Sequence, residues 1–431
     1  MERKLLERLK KWKTGKDRKP LLLEGARQTG KTWIAKEFGS RYYSNTAYLN
    51  FDRERSLKNI FSGTLSPDML ISSMSALLGQ SIDPENTLII FDEVQEEPRA
   101  LTSLKYFYEE APQYNIIATG SFMGIALHQG TSFPVGKVQL EKMYPLAFTE
   151  FLEAMGSKQL ADVLESGNVE AIASLKETFR DYLRIYYAVG GMPEAVKSFA
   201  ADKDYNKVRE IQNDIIELYR HDFSKHAPIS LIPRLNQVWD SIPAQLSKEN
   251  RKFMYGHIAK GARAKDFEAA LTWLSDCGLI HLVHRVSKPG LPLKSYAELS
   301  AFKVFLNDIG LLGALGELDV RTVIEGSRIF EEFKGAMAEQ YVLQQLISEM
   351  EIKPYYYSAE NSRGEIDFLI QKDGRILPIE VKAEENLQAK SLKEFYEKFD
   401  IRGVRISMSD YREQDQLTNY PLYAFTSLLS V

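Results

Sequence analysis

Cysteine is nearly absent: Cys277 is the one thiol in 431 residues. An internal disulfide is therefore excluded, and His281 and His284 lack the second cysteine and the spacing that a zinc site with Cys277 would need. The thiol reads as a small apolar residue on a helix, in keeping with a reducing compartment. Long apolar runs are missing too. None approaches the roughly 18 residues of a membrane span, and Met1-Glu2-Arg3-Lys4 opens the chain without a leader's apolar core, so the expectation is a cytoplasmic protein with no membrane contact. Neither sign of charge dominates, with 55 Lys and Arg against 59 Asp and Glu. Gly and Pro show no excess, and 44% of residues are hydrophobic, which excludes disordered, collagen-like and low-complexity chains. At roughly 100–200 residues per domain the length implies about two to four domains.

What is present begins with an α/β pattern. From Pro20 to about Leu152 short apolar runs alternate with longer amphipathic stretches, as in a parallel sheet covered by helices. Leu21–Leu23, Ala47–Phe51, Thr87–Phe91 and Asn115–Ala118 are near-continuous apolar runs, suited to strands buried on both faces. The first leads into Gly25-Ala26-Arg27-Gln28-Thr29-Gly30-Lys31-Thr32 and then a helical stretch from Trp33 to Phe38. That is G-x-x-x-x-G-K-S/T between strand and helix, as the phosphate-binding loop requires. Gly25 and Gly30 let the backbone curl with its N–H groups inward, Lys31 reaches the outer phosphates of ATP, and Thr32 is a ligand for magnesium.

Thr87–Phe91 ends in Asp92-Glu93, two acids at the carboxyl edge of a buried strand, where open α/β sheets bind ligands. Asp92 is assigned to magnesium, directly or through water. Glu93 is assigned to orienting and deprotonating the water that attacks the γ-phosphate. The next strand ends in Thr119-Gly120-Ser121, either a plain turn or a polar strand tip with a role at the site. Of its two hydroxyls Ser121 lies beyond the glycine and is preferred to Thr119.

Between Leu152 and Ser230 the spacing is helical, broken by Gly190-Gly191-Met192-Pro193, which suggests a lid and connector. From Leu231 to about Gly313 helical patterns lead to an alternating run, Leu279–Val286, and to Pro289-Gly290-Leu291-Pro292, as in a winged helix. Lys248, Arg251, Lys252, Lys260, Arg263 and Lys265 are candidates for phosphate contact, diluted by Glu249, Asp266, Glu268 and Asp276; a solvated, protein-facing module is the equal alternative. Residues 1–19 hold nine Lys and Arg against three acids, with Leu5, Leu6, Leu9 and Trp12 at helical spacing. A helix docked by those four residues is preferred to a DNA-contacting arm.

The last hundred residues carry a second candidate site. Asp373-Gly374 between two alternating runs is a strong hairpin signal. Its two-residue turn sets Lys372 against Arg375 and, counting outward, Asp367 against Glu380, with Lys382 two residues on. Like charges across a strand pair are unfavourable, so a second divalent metal between them, with Lys382 beside it, would resolve the conflict. Glu339 shares a sector with Val342, Leu343, Leu346 and Met350 on a helix expected over Ile329–Met350, a carboxylate facing apolar neighbours. Another helix is expected over Leu387–Phe399. D…E-x-K in this order resembles the restriction-endonuclease-like fold, and the resemblance implies that Glu339 completes the metal site. Alternatively Lys382 neutralises the pair and the scaffold cuts nothing. Residues 316–431 hold 14 Lys and Arg against 21 acids, a poor composition for non-specific DNA binding.

Gly25–Thr32, Phe91–Gln95, Ala118–Ser121 and Tyr144–Leu152 together resemble bacterial and archaeal AAA-type ATPases fused to a C-terminal domain of unknown function. Gly190–Glu194, Phe302–Leu311 and Gly364–Ile370 extend the resemblance over nearly the whole chain. It implies that Ser121 or Thr119 contacts the γ-phosphate or the attacking water. One departure is Lys137 after Gly136, where family members often carry arginine; if a neighbouring subunit of a homo-oligomer supplied a finger there, lysine would lack the bidentate fork. Arg27 and Arg99 are the other finger candidates. The expected architecture is α/β: a P-loop AAA-type ATPase domain over 1–152, a helical lid over 153–230, a winged-helix-like part over 231–315, and an α+β restriction-endonuclease-like domain over 316–431. The expected function is ATP hydrolysis with magnesium, coupled to a nuclease-like module acting on DNA or another protein. The alternative is a nucleotide-gated protein or nucleic-acid interaction module on an inactive scaffold.

Overall fold

The apolar runs of the N-terminal third become the strands of a wholly parallel sheet. They are β1 (Leu21–Glu24), β2 (Asn45–Asn50), β3 (Thr87–Asp92), β4 (Asn115–Gly120) and β5 (Gln139–Lys142), in the order β2-β3-β4-β1-β5. The computed structural model describes residues 1–121, 134–248, 252–325, 331–359, 364–385 and 389–430. Successive strand residues point to opposite faces. Leu21, Leu23, Leu88, Ile90 and Ile117 pack with Ile34, Ala35 and Phe38 of the helix Lys31–Tyr42. Leu22, Ile89, Phe91 and Ile116 pack on the other face with Phe51, Phe61, Leu104 and Phe107. Leu5, Leu6, Leu9 and Trp12, all buried, dock the N-terminal helix Leu5–Thr14 into the Phe38 cluster. At about 1.5–3 kcal/mol per buried large apolar side chain, this burial holds the basic helix in place.

The chain divides into two compact units. One comprises Glu2–Tyr144 with Asp276–Leu279, and the other Pro145–Ser275 with Ile280–Val431. The second unit is helical from Phe148 to His226, with Gly190 ending the helix Lys176–Val189, and continues in helix Ile232–Leu246 and in the helix Ala264–Asp276 up to Ser275. Arg251 and Glu249 of the mixed-charge segment lie outside the described residues.

Among the described residues the second unit has one mixed sheet. Its strands are β6 (Ile280–Val286), β7 (Ala297–Leu306), β8 (Tyr355–Ser358), β9 (Glu365–Lys372), β10 (Arg375–Val381), β11 (Gly403–Ser407), β12 (Arg412–Glu413) and β13 (Leu417–Pro421), in the order β12-β13-β11-β10-β9-β8-β6-β7. The hairpin forms in the register its turn dictates, with Lys372 opposite Arg375 and Phe368 opposite Ile379. Asp373 and Gly374, at φ 49° and 72°, supply the two left-handed residues such a turn needs. The run expected to lead into a wing becomes β6, which pairs with β7 and, through Arg285 and Val286, with β8. Strands on both sides of position 315/316 thus share one sheet. The helices expected over Ile329–Met350 and Leu387–Phe399 are found at Glu331–Ser348 and Lys390–Phe399; Ile329 and Leu387 lie outside the described residues. Among the described residues no helix is long and apolar enough to cross a membrane.

Candidate functional site

The loop after β1 can take its course only because Gly25 has no side chain. At φ 150° its Cβ would stand 2.2 Å from the carbonyl oxygen of Met143. Gln28 and Gly30, at φ 66° and 94°, turn the backbone in and out of the left-handed region, the geometry that gathers N–H groups into an anion-binding nest. Thr29 closes the loop from within, its hydroxyl donating to the Ala26 carbonyl at 2.8 Å. Lys31 is 6% exposed and folds back, donating to the carbonyls of Gly25 at 2.8 Å and Ala26 at 2.7 Å. Burial lowers its pKa to about 8, against the opposing pull of Glu93 and Asp92.

Asp92, buried at the end of β3, is the hub of the site. Its Oδ1 accepts from Thr32 Oγ1 at 2.8 Å and from Thr119 Oγ1, and its Oδ2 accepts from Tyr48 Oη at 2.6 Å and Asn50 Nδ2 at 3.1 Å. The Lys36 ammonium lies 3.5 Å from the centre of the Tyr48 ring. Glu93 breaks out of the strand at φ 55°, and its Oε2 accepts from Gln95 Nε2 at 2.5 Å. Ser121 is buried one residue past β4, while the hydroxyl that reaches Asp92 at this tip is that of Thr119. Thr32 Oγ1 and Asp92 Oδ1 form a pair of hard oxygens beside the phosphate loop, a donor set that fits magnesium. Of the finger candidates, Lys137 pairs with Glu109 at 3.0 Å, Arg99 donates to the carbonyls of Phe61 and Gly63, and Arg27 adds to the lowering of the Lys31 pKa.

Arg3, Tyr48 and Asn50 escape motif reading. Arg3 is 7% exposed and donates to the carbonyls of Thr29 at 3.4 Å and Tyr144 at 2.7 Å, bracing the loop from behind. For Tyr48 and Asn50 a signal existed. Both lie on the strand that pairs with β3, two residues apart and hence on one face, with Asn50 beside Asp92 in register.

In the second unit Glu339, Asp367, Glu380 and Lys382 share a neighbourhood, with a participant that the hairpin count misses. Lys303, fully buried on β7, places its ammonium 2.5 Å from Glu365, 3.6 Å from Glu339 and 4.0 Å from Asp367. Asp367 Oδ2 accepts from the Val381 backbone N–H at 2.7 Å. Glu380, whose pKa is raised by burial, pairs with Lys382 at 2.9 Å and faces buried Arg405 across β10 and β11. The repulsion expected across the hairpin is thus relieved by protein cations and a backbone donor. Among the described residues no group of three or more His, Cys, Asp or Glu side chains is arranged to hold a metal ion. The missed signal is a lysine within the apolar run Ala301–Leu306, where a charge has to find buried partners.

No curated protein matches this chain. Residues 180–322 and 334–425 match two domains of unknown function, DUF8612 and DUF4143. Among solved structures the chain is similar to the Walker-type ATPase PABY2304 of Pyrococcus abyssi, at 16% identity and a TM-score of 0.45, over 73% of this chain and 95% of that one. It is also similar to the Aeropyrum pernix Orc1 protein in complex with DNA, at 16% identity and a TM-score of 0.25, over 73% and 90% of the two chains. The Drosophila ORC bound to DNA is a third, at 13% identity and a TM-score of 0.24, over 73% and 95%. Scores this low carry no argument about function. Residues 17–152 match the AAA domain. With the strand, loop and helix in place around Lys31 and Thr32, the N-terminal unit is a P-loop AAA-type ATPase domain.

Proposed function

We propose that this protein binds ATP with magnesium in the loop Gly25–Thr32 and hydrolyses it, with Glu93 as the base that orients and deprotonates the attacking water. The observation that carries this reading is the 2.8 Å hydrogen bond between Thr32 and Asp92, which sets the helix-opening hydroxyl against the strand-end carboxylate. Thr32 and Asp92 would hold magnesium, which when bound supplies charge neutralisation at the outer phosphates. Lys31 leaves the carbonyls of Gly25 and Ala26 for those phosphates. Glu93, held by Gln95 at the rim, turns to the water, and Thr119 or Ser121 faces the γ-phosphate. The deciding measurement is magnesium-dependent ATP turnover beside ATP binding. Lys31→Ala should lose binding, and Glu93→Gln should bind but not turn over; unchanged turnover in either variant would overturn its assignment.

For the second unit two readings differ in chemistry. A metal among Glu339, Asp367 and Glu380, with Lys382 beside it, would make a nuclease. The charge balance around Lys303 favours the other, a nucleotide-gated interaction module on a nuclease-like scaffold, and the acidic composition of residues 316–431 favours a protein partner over DNA.

A further inference from the structure

We propose that the Lys303 ammonium is a built-in cation that takes the place of a divalent metal among Glu339, Glu365 and Asp367, so that this carboxylate cluster is complete without metal and becomes a metal site only when the lysine is removed. The proposal is independent of ATP hydrolysis.

A lysine with no exposed side-chain surface needs buried partners for its side-chain nitrogen. Lys303 meets three, at 2.5, 3.6 and 4.0 Å, and its ammonium lies 5.1 Å from the centre of the Tyr356 ring. These carboxylates come from two elements: Glu339 from the helix Glu331–Ser348, and Glu365 and Asp367 from β9, two residues apart and so on one face. The lysine itself comes from β7, at the edge of the sheet. Convergence of one cation and three acids from separate elements on one point is how a protein builds a metal site, with Nζ at its centre.

The charge balance leaves no room for more. Among the described residues Glu339, Glu365, Asp367 and Glu380 face Lys303, Lys382 and Arg405, four acidic groups against three basic ones. Adding a divalent ion would turn a net negative cluster into a net positive one in a largely buried place, at a desolvation cost that the remaining contacts could not offset. Removing Lys303 leaves Glu365, Glu339 and Asp367 around a hole the size of an ammonium; as they stand they are not arranged to hold a metal, and Glu339 and Asp367, at 3.6 and 4.0 Å from the Nζ position, would have to close in on a divalent or lanthanide cation.

The test uses the full chain without nucleotide and terbium as the probe, with Tyr356 as the sensitiser beside the site. Lys303→Ala should take up one more equivalent of terbium than the wild type, with tyrosine-sensitised emission that is lost when Asp367→Ala is added. Manganese should raise the melting temperature of Lys303→Ala by more than it raises that of the wild type. Equal terbium uptake by the two proteins overturns the proposal. The wild-type arm stands alone if the variant does not fold: wild-type emission that Asp367→Ala abolishes would put a metal among these carboxylates despite Lys303 and sink the idea, and its absence sustains it.

Discussion

The backbone N–H of Gly191 donates to Asp308 Oδ2 at 2.6 Å, joining two motifs that lie 117 residues apart. Asp308 is fully buried and also accepts from the Leu311 N–H at 3.0 Å and from Gln344 Nε2 at 3.1 Å. Glycine is required on both sides. A Cβ on Gly190, at φ 73°, would meet Asp308 Oδ1 at 2.2 Å, one on Gly191 the Leu146 carbonyl at 2.3 Å, and one on Gly310 the Val189 carbonyl at 2.6 Å. Gln344 and Gln345 in turn hold the Tyr186 hydroxyl, which donates to the Leu146 carbonyl at 2.5 Å. The second unit is therefore knit by one buried polar network.

Asp308→Ala removes the acceptor for three buried donors. The loss should be on the order of 3–5 kcal/mol, since each stranded buried donor costs about 1–3 kcal/mol and local relaxation recovers part. Urea unfolding followed by intrinsic fluorescence measures it, and a loss under about 1 kcal/mol would mean that the network is dispensable.

At the proposed nucleotide site, Tyr48→Phe deletes one of four donors to Asp92 and keeps the ring under the Lys36 ammonium. A hydrogen bond to a charged group is worth about 1.5–3 kcal/mol, so ATP turnover should fall roughly tenfold or more while the unit stays folded. Turnover equal to that of the unchanged protein would show that Thr32, Asn50 and Thr119 position the carboxylate without help.

The ATPase domain was legible because its strands are unbroken apolar runs and its loop follows a fixed spacing. β5 was not. Its residues alternate about half-buried with exposed, so it has no apolar run to announce it, and it is a strand only because Leu21–Glu24 pairs with it. The hairpin at Asp373-Gly374 was legible down to its register, because a two-residue turn leaves no slack. What surrounds Asp367 was not, since Lys303 arrives from β7, more than sixty residues earlier in the chain, and no local pattern links a lysine there to a carboxylate on β9. The continuity of β6 with β8 was hidden for the same reason, because local patterns show strands but not which distant strands they pair with.

Arg3 yields the third prediction. Its guanidinium holds the carbonyls of Thr29 and Tyr144, whereas the neighbouring basic residues Lys10 and Lys11 are solvated. Arg3→Ala should weaken ATP binding by roughly three- to tenfold, as loss of about 1 kcal/mol of support to the loop implies, while Lys11→Ala leaves it unchanged. Isothermal titration of the two variants separates a bracing role from a general effect of positive charge; equal losses would favour the latter.

The fourth prediction concerns pH. Lys31 has a pKa of about 8 without nucleotide, against an ordinary value of 10.5, because burial penalises the ammonium more than Glu93 and Asp92 favour it. In the proposed site the phosphates meet the Lys31 ammonium and would raise its pKa on binding. Below about pH 8 the lysine is already charged and binding takes up no proton. Above it the free protein holds a neutral amine, so binding draws a proton from solvent, and affinity should fall by up to about tenfold per pH unit until the pKa of the complex is reached. Stability without nucleotide runs the other way. The unfolded chain, with the ordinary pKa, binds the proton more tightly, so this lysine's contribution grows as pH rises from about 8 towards 10.5 and is lost as pH falls back through 8. Titration calorimetry at pH 7 and 9, each in two buffers of different ionisation enthalpy, should show proton uptake only at the higher pH. A general loss of structure in alkali would lower affinity and stability together; here affinity should drop while the nucleotide-free unit holds or gains stability, and absence of proton uptake at pH 9 would mean that Lys31 is charged throughout.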